Sequence, residues 1–256
     1  MSSPIEQLLN KIIANMLPSI NSGIQNTIIS NHLDPWGQVA NGSDNLGSID
    51  LGICDASANA SYYVGNLQGL RSFAINSIII SSIQTDPQDP SKLNGAISLS
   101  ASLSSNLSAS VGGEFEAKCG LIHPTVGISG SAVVSGVSGG ASGSFSASVN
   151  GSQVCLNSVT ISALDINYSN VSVNIDGLGI FNTFLSPLTS LIIGLFNGQI
   201  KGAISSALKP VLNTIYGLYQ RVDYAFRLPL SSTKSMGSFR KIEKAGLLAA
   251  YKPPDP

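Results

Sequence analysis

Charge is what this chain has least of. Only 11% of its 256 residues are Asp, Glu, Lys or Arg, and they sum to −1 at neutral pH. A nucleic-acid partner needs a basic face, and a charged substrate drawn in over distance needs a field of one sign; the composition provides neither. Chemistry-bearing residues are equally sparse. The two histidines, His32 and His123, and the three cysteines, Cys54, Cys119 and Cys155, lie far apart, without the short spacings of metal ligands. No glycine loop opens a helix where a phosphate would sit. Gly136-Val-Ser-Gly-Gly140 matches a nucleophile-elbow pattern, but that motif needs a helix directly after Ser138 and a histidine later in the chain. Both histidines precede it, and the segment that follows keeps alternating Ser and Gly. The expectation is therefore no catalytic residue, no metal and no cofactor. Long apolar runs are missing too: Gly194, Asn197, Gly198, Gln199 and Lys201 interrupt the best candidate before it reaches the roughly 18 residues of a membrane span, so no crossing is expected.

What the chain does have is apolar periodicity, since 43% of it is hydrophobic. Ile5, Leu8, Leu9, Ile12, Ile13, Met16, Leu17, Ile20, Ile24 and Ile28 recur every three or four residues, the spacing that lines one helical face. Ser2 or Ser3 is a fitting cap, Pro4 fits the first turn, and Pro18 predicts a bend. A second stripe fills Phe181 to Gln220, with Pro187 near its start and Pro210 far enough inside to predict a kink or break.

Between the helices the period changes to two. Ile97, Leu99, Ala101 and Leu103 alternate with Ser98, Ser100, Ser102 and Ser104, as in a sheet with one buried and one wet face. Strands are expected at Gly47 to Cys54, Tyr62 to Ile83, Gly95 to Val111, Glu114 to Val126, Gly127 to Val149 and Gln153 to Ile175. Turns are expected at Asp86-Pro87, Asp89-Pro90, Asn94-Gly95, Gly112-Gly113, His123-Pro124 and Asn150-Gly151. From Gly130 to Ser148 small residues occupy both faces, which fits either close approach of sheet to helix or the wall of a cavity.

The compartment rests on two signals. Asn41, Asn59, Asn106, Asn150, Asn167 and Asn170 all begin glycosylation sequons. A Cys119–Cys155 disulfide is permitted outside the cytosol, with Cys54 left over or the pairing different. The start lacks a charged segment followed by an apolar one, so secretion implies a mature form with an added Met1.

Three stretches carry a resemblance. Asn66-Leu-Gln-Gly-Leu-Arg71, Gly120-Leu-Ile-His-Pro-Thr125, and Phe184-Leu-Ser-Pro-Leu continued to Lys209-Pro-Val-Leu212 are similar to an early strand, the turn into a later strand, and the C-terminal helix of the TULIP superfamily. The resemblance is especially to arthropod takeout-like proteins and mite group 7 allergens, and element order agrees from Ile5 to Tyr219. The resemblance implies an α+β fold in which a long, strongly curved antiparallel sheet wraps a long C-terminal helix, beside an N-terminal amphipathic helix. It also implies a lipid or other hydrophobic ligand held between sheet and helix. A Cys119–Cys155 bond would join two strands, unlike the strand-to-helix bond of the bactericidal/permeability-increasing branch.

The residues expected to line such a cavity are Phe73, Ile75, Leu99, Leu103, Val133, Phe145, Ile161, Leu188, Ile192, Leu195 and Phe196. Residues 1–226 are read as one ligand-binding domain and 227–256 as a basic tail. In that tail Arg227, Lys234, Arg240, Lys241, Lys244 and Lys252 face only Glu243 and Asp255, and Phe239 to Ala250 fits a short amphipathic helix behind Ser238. The functional expectation is a secreted carrier of a fatty acid, phospholipid, sterol, juvenoid or carotenoid. The alternative is a surface-active or lipid-surface-binding protein that uses the same apolar faces. An exposed strand edge would permit a homodimer.

Overall fold

Alternating Ser and aliphatic residues make four long passes of antiparallel chain, at 55–85, 92–118, 125–150 and 153–176, and each pass breaks once near its middle. The computed structural model describes residues 4–50, 54–118, 120–150 and 153–213. The breaks turn the four passes into eight strands: β2 (Asp55–Gln68) and β3 (Phe73–Thr85), β4 (Lys92–Leu103) and β5 (Leu107–Lys118), β6 (Thr125–Ser135) and β7 (Ser138–Asn150), β8 (Gln153–Asn167) and β9 (Asn170–Asp176). With β1 (Trp36–Asp50) they form a five-stranded sheet, β1-β2-β5-β6-β9, and a four-stranded sheet, β3-β4-β7-β8. Every crossing from one sheet to the other falls at one of the four breaks.

The breaks lie side by side and are hydrogen-bonded across neighbouring passes. The Ser104 N–H donates to Ser72 O, that of Leu103 to Val137 O, and that of Ser169 to Ser135 O, at 3.4, 3.1 and 3.1 Å. The result is one sheet folded over along a line, which is how the expected curvature is achieved. Gly69 and Gly136 sit on this line with φ of +104° and +62°, a region L-residues with a Cβ avoid. Asp34 pins the first corner, its Oδ2 accepting the N–H groups of Gly69 at 3.1 Å and Arg71 at 2.6 Å. The expected strands at Tyr62 to Ile83, Gly95 to Val111, Gly127 to Val149 and Gln153 to Ile175 thus each span a corner. The expected turn at Gly112-Gly113 is instead the middle of β5, where Gly112 faces Tyr63 and Gly113 faces Tyr62. Gly112 has no side chain because the Tyr63 ring lies over it.

Helices close both halves. Helix α1 (Pro4–Ser30) lies along the β3 edge, α2 (Leu185–Leu195) touches both β9 and β1, and α3 (Lys201–Asn213) packs on β8 and meets α1. Each half-sheet is therefore curled around helix, the five-stranded half around α2 and the four-stranded half around α1 and α3. Proline does not interrupt these helices. Pro18 and Pro210 both lie inside continuous helix, so the break expected as one outcome at Pro210 is not formed, and a π turn, Phe196–Ile200, falls between α2 and α3. By length and composition Phe181–Asn213 is long and apolar enough to cross a membrane. Its apolar stripe, from Leu188 to Leu212, is buried against the sheets, and a buried core helix has the same length and composition.

Helix side chains finish the sheet edges. Asn10 and Asn21 each form a two-way amide bridge to β3: Asn10 with the N–H and C=O of Ile80 at 2.7 and 3.0 Å, Asn21 with those of Ile75 at 2.8 and 3.1 Å. Glu6 Oε1 accepts the Ile83 N–H at 3.2 Å. On the far edge, Asn213 Oδ1 accepts the Ile161 N–H at 2.9 Å, and Lys209 donates to Ser162 O at 3.0 Å. Lys201 bridges to Asp165 at 3.2 Å, and an Asn167 hydrogen bond together with this lysine holds the Asp165 carboxyl below its ordinary range.

Candidate functional site

The interior of the folded sheet is the candidate site, and among the described residues it holds no buried polar or charged residue. Both walls mix bulky and small side chains. The four-stranded half presents Phe73, Ile75, Ile97, Leu99, Phe145 and Ile161 inward, with Ala101, Ala141 and Ala147 between them. The five-stranded half presents two buried alanine pairs, Ala58 facing Ala117 across β2 and β5 and Ala109 facing Ala132 across β5 and β6, among larger residues such as Val64, Val111, Phe115 and Val134. Alternation explains both faces, since serine or another polar residue occupies most outward positions. From β5 of the same wall the Phe115 ring meets Phe181 at 5.5 Å and Phe184 at 5.2 Å, both tilted. Leu188, Ile192, Leu195 and Phe196 are the buried face of α2 and the π turn above it.

Nine of the eleven residues expected to line the cavity are buried in this one contiguous core: Phe73, Ile75, Leu99, Phe145, Ile161, Leu188, Ile192, Leu195 and Phe196. Leu103 is half-buried at the fold line. Val133 is a correction: it is 38% exposed on the outer face of β6, and the neighbouring Val134 is the one buried. Apart from Val133, the strand residues of the set belong to the four-stranded half, whereas the helix residues lie on α2 and the π turn, and α2 touches β9 and β1 of the five-stranded half. The alanine pairs and the Phe115 group were absent from the expected lining, although the alternation of Ala56, Ala58 and Ala60 pointed to them.

Among the described residues one buried side-chain polar atom has no partner, the Tyr168 hydroxyl at the corner between β8 and β9. Burial alone pushes its pKa up to about 12. Surface hollows lie outside the core. One of about 350 Å³ at the first corner is lined mainly by polar residues, among them Asp34, Gln68, Arg71 and Asn106. Another, of about 590 Å³, lies at the end of α3 between Ser206, Lys209, Pro210 and Asn213.

The remaining sequence expectations fall as follows. Ser138 opens a strand, so the nucleophile-elbow geometry is not formed. Cys54 is disulfide-bonded. A chain of three cysteines that bonds Cys54 cannot also join Cys119 to Cys155, so that expected pairing is corrected; Cys119 and the Cys155 side chain lie outside the described residues. Of the sequon asparagines, Asn41, Asn106, Asn167 and Asn170 are exposed. Asn59 is half-buried and accepts from Asn45 Nδ2 at 3.0 Å, and the Asn150 side chain lies outside the description. The basic tail, with its expected amphipathic helix, is likewise outside.

These elements define an α+β chain in which a folded-over antiparallel sheet packs on three helices around a core built of apolar residues. Among solved structures it is similar to a lipopolysaccharide binding protein, at 13% identity and a TM-score of 0.35 over 83% of this chain and 40% of the other. It is also similar to Takeout 1 of Epiphyas postvittana, at 14% identity and a TM-score of 0.36 over 82% of this chain and 92% of the other. The chain thus spans less than half the length of the first and most of the second. No family model matches it, and no curated protein does.

Proposed function

We propose that the protein carries a hydrophobic small molecule between its alanine pairs and helix α2, outside the cell, without chemical conversion. The observation that carries this reading is the interior itself: paired buried alanines on three adjacent strands, closed by one helix whose continuation is loosened by a π turn. The alanine pairs leave room that bulkier side chains would fill, and the helix is the wall that would shift to admit a ligand. Affinity would come from apolar area removed from water, on the order of 25 cal/mol per Å² before ordering costs. The Tyr168 hydroxyl offers one hydrogen bond to a polar end group. The Cys54 disulfide and the four exposed sequon asparagines support an oxidising, extracellular setting.

The test is displacement of a fluorescent fatty acid, compared between wild type and Ala132→Leu. Loss of uptake by a variant that still unfolds cooperatively supports the site; unchanged uptake places the ligand elsewhere. A second reading is favoured by Phe181–Asn213, whose length and apolar composition suit it to spread at an air–water or lipid surface once released from the sheet. A reversible fall in surface tension caused by ligand-free protein would favour that reading.

A further inference from the structure

We propose that the tip of the β5–β6 hairpin is a membrane anchor, in which Leu121 and Ile122 enter the apolar layer of a phospholipid surface. Leu121 is 100% exposed and Ile122 67%, the two most exposed large apolar side chains among the described residues. They are adjacent and project from a turn whose base is closed, since the Ala117 N–H donates to Pro124 O at 3.0 Å. The tip thus continues the strand pair that supplies Phe115 and Ala117 to the core.

Shape and surroundings decide the partner. A specific protein interface buries about 800 Å² on each side. Two side chains on a convex turn offer only a fraction of that, and their flanks are polar: Glu116, Lys118, His123 and Thr125. A second copy of this chain would meet the same shortage. A fluid lipid layer needs no matching socket, and it places polar flanks at headgroup level while the aliphatic tip sinks below. Glu116 Oε1 sits 3.9 Å from Lys118 Nζ and 3.8 Å from His123 Nδ1, so the collar is close to neutral and does not select anionic lipid. This surface is separate from the core, and the proposal holds whether or not the core carries a ligand.

The experiment is co-sedimentation of the full chain with phosphatidylcholine vesicles at millimolar lipid, for wild type and for Leu121→Asn/Ile122→Asn. Wild type is expected to partition onto the vesicles and the double variant at least tenfold less, with an unchanged thermal midpoint because neither side chain touches the core. In Ile122→Trp, the added emission should shift to the blue on vesicles and be quenched by lipids brominated high on the acyl chain. Absence of wild-type binding, or equal binding by the double variant, overturns the proposal. So does concentration-dependent self-association that the double substitution abolishes without any vesicle binding, which would make the tip a protein contact.

Discussion

Asn21 and Ile75 are joined by two hydrogen bonds that treat a helix side chain as though it were a neighbouring strand: the carboxamide accepts from the Ile75 N–H at 2.8 Å and donates to its carbonyl at 3.1 Å. Asn10 does the same to Ile80. The spacing works because eleven helical residues and five strand residues both advance about 16 Å. An edge strand left open would invite pairing with other chains. Here helix α1 closes that edge with two amides.

Replacing either asparagine by leucine should therefore cost more than its own side chain. Each loss leaves an N–H and a C=O of β3 without partners, at about 1–3 kcal/mol per buried group. We expect Asn21→Leu to lower stability by about 2–4 kcal/mol in urea unfolding. Asn21→Leu together with Asn10→Leu should also raise aggregation.

The fold line makes a sharper prediction. At Gly69 a Cβ would strike the Asn106 carbonyl and φ is +104°, whereas at Gly37 a Cβ meets open space. Gly69→Ala should destabilise by more than about 1 kcal/mol and Gly37→Ala by less than about 0.5 kcal/mol, as left-handed and unstrained positions differ. Equal effects in thermal unfolding would mean that the corner is not held as described.

These corners also mark where the sequence stopped being legible. The stripe from Ile13 to Ile28 and the Ser-aliphatic alternation of β4 were plain, because period alone reports a buried face. The breaks at Ser104 to Asn106 and at Tyr168-Ser169 carry no unusual turn chemistry, so each pass read as one long strand. Val133 failed for a related reason: beside Val134, a period of two does not say which valine faces inward. Asn10 and Asn21 sit on the flank of an apolar stripe, and nothing local reveals partners 70 and 54 residues away. The alanine pairs were visible as alternation but lacked the bulk that marks a lining.

Tyr168 gives the pH dependence. Its folded pKa is raised from 10 to about 12 by burial, so the neutral form is favoured in the native state. That contribution is fully present below pH 10 and is lost as pH climbs toward 12. Tyr62 is also shifted upward, by burial and the nearby Asp44, so absorbance titration should show late-ionising tyrosine, and Tyr168→Phe should remove part of that late absorbance. Because the hydroxyl is unpartnered, the same change should stabilise the ligand-free protein by up to about 1–2 kcal/mol, in contrast to loss of a bonded hydroxyl.

The disulfide is countable. With Cys54 bonded, the denatured unreduced chain should show one free thiol rather than three. Reduction should lower stability by about 2–4 kcal/mol, the usual contribution of one bridge. Three free thiols would remove the support this bond gives to an extracellular setting.

The central claim, that the apolar interior holds a hydrophobic cargo, is met most directly by organic extraction of protein purified from its natural source, followed by mass spectrometry of the extract. The account predicts one apolar compound, or one narrow class, at close to one per chain, reduced in Ala132→Leu. A protein that yields no such compound and takes up no added fatty acid would contradict it and show that the core is packed dry.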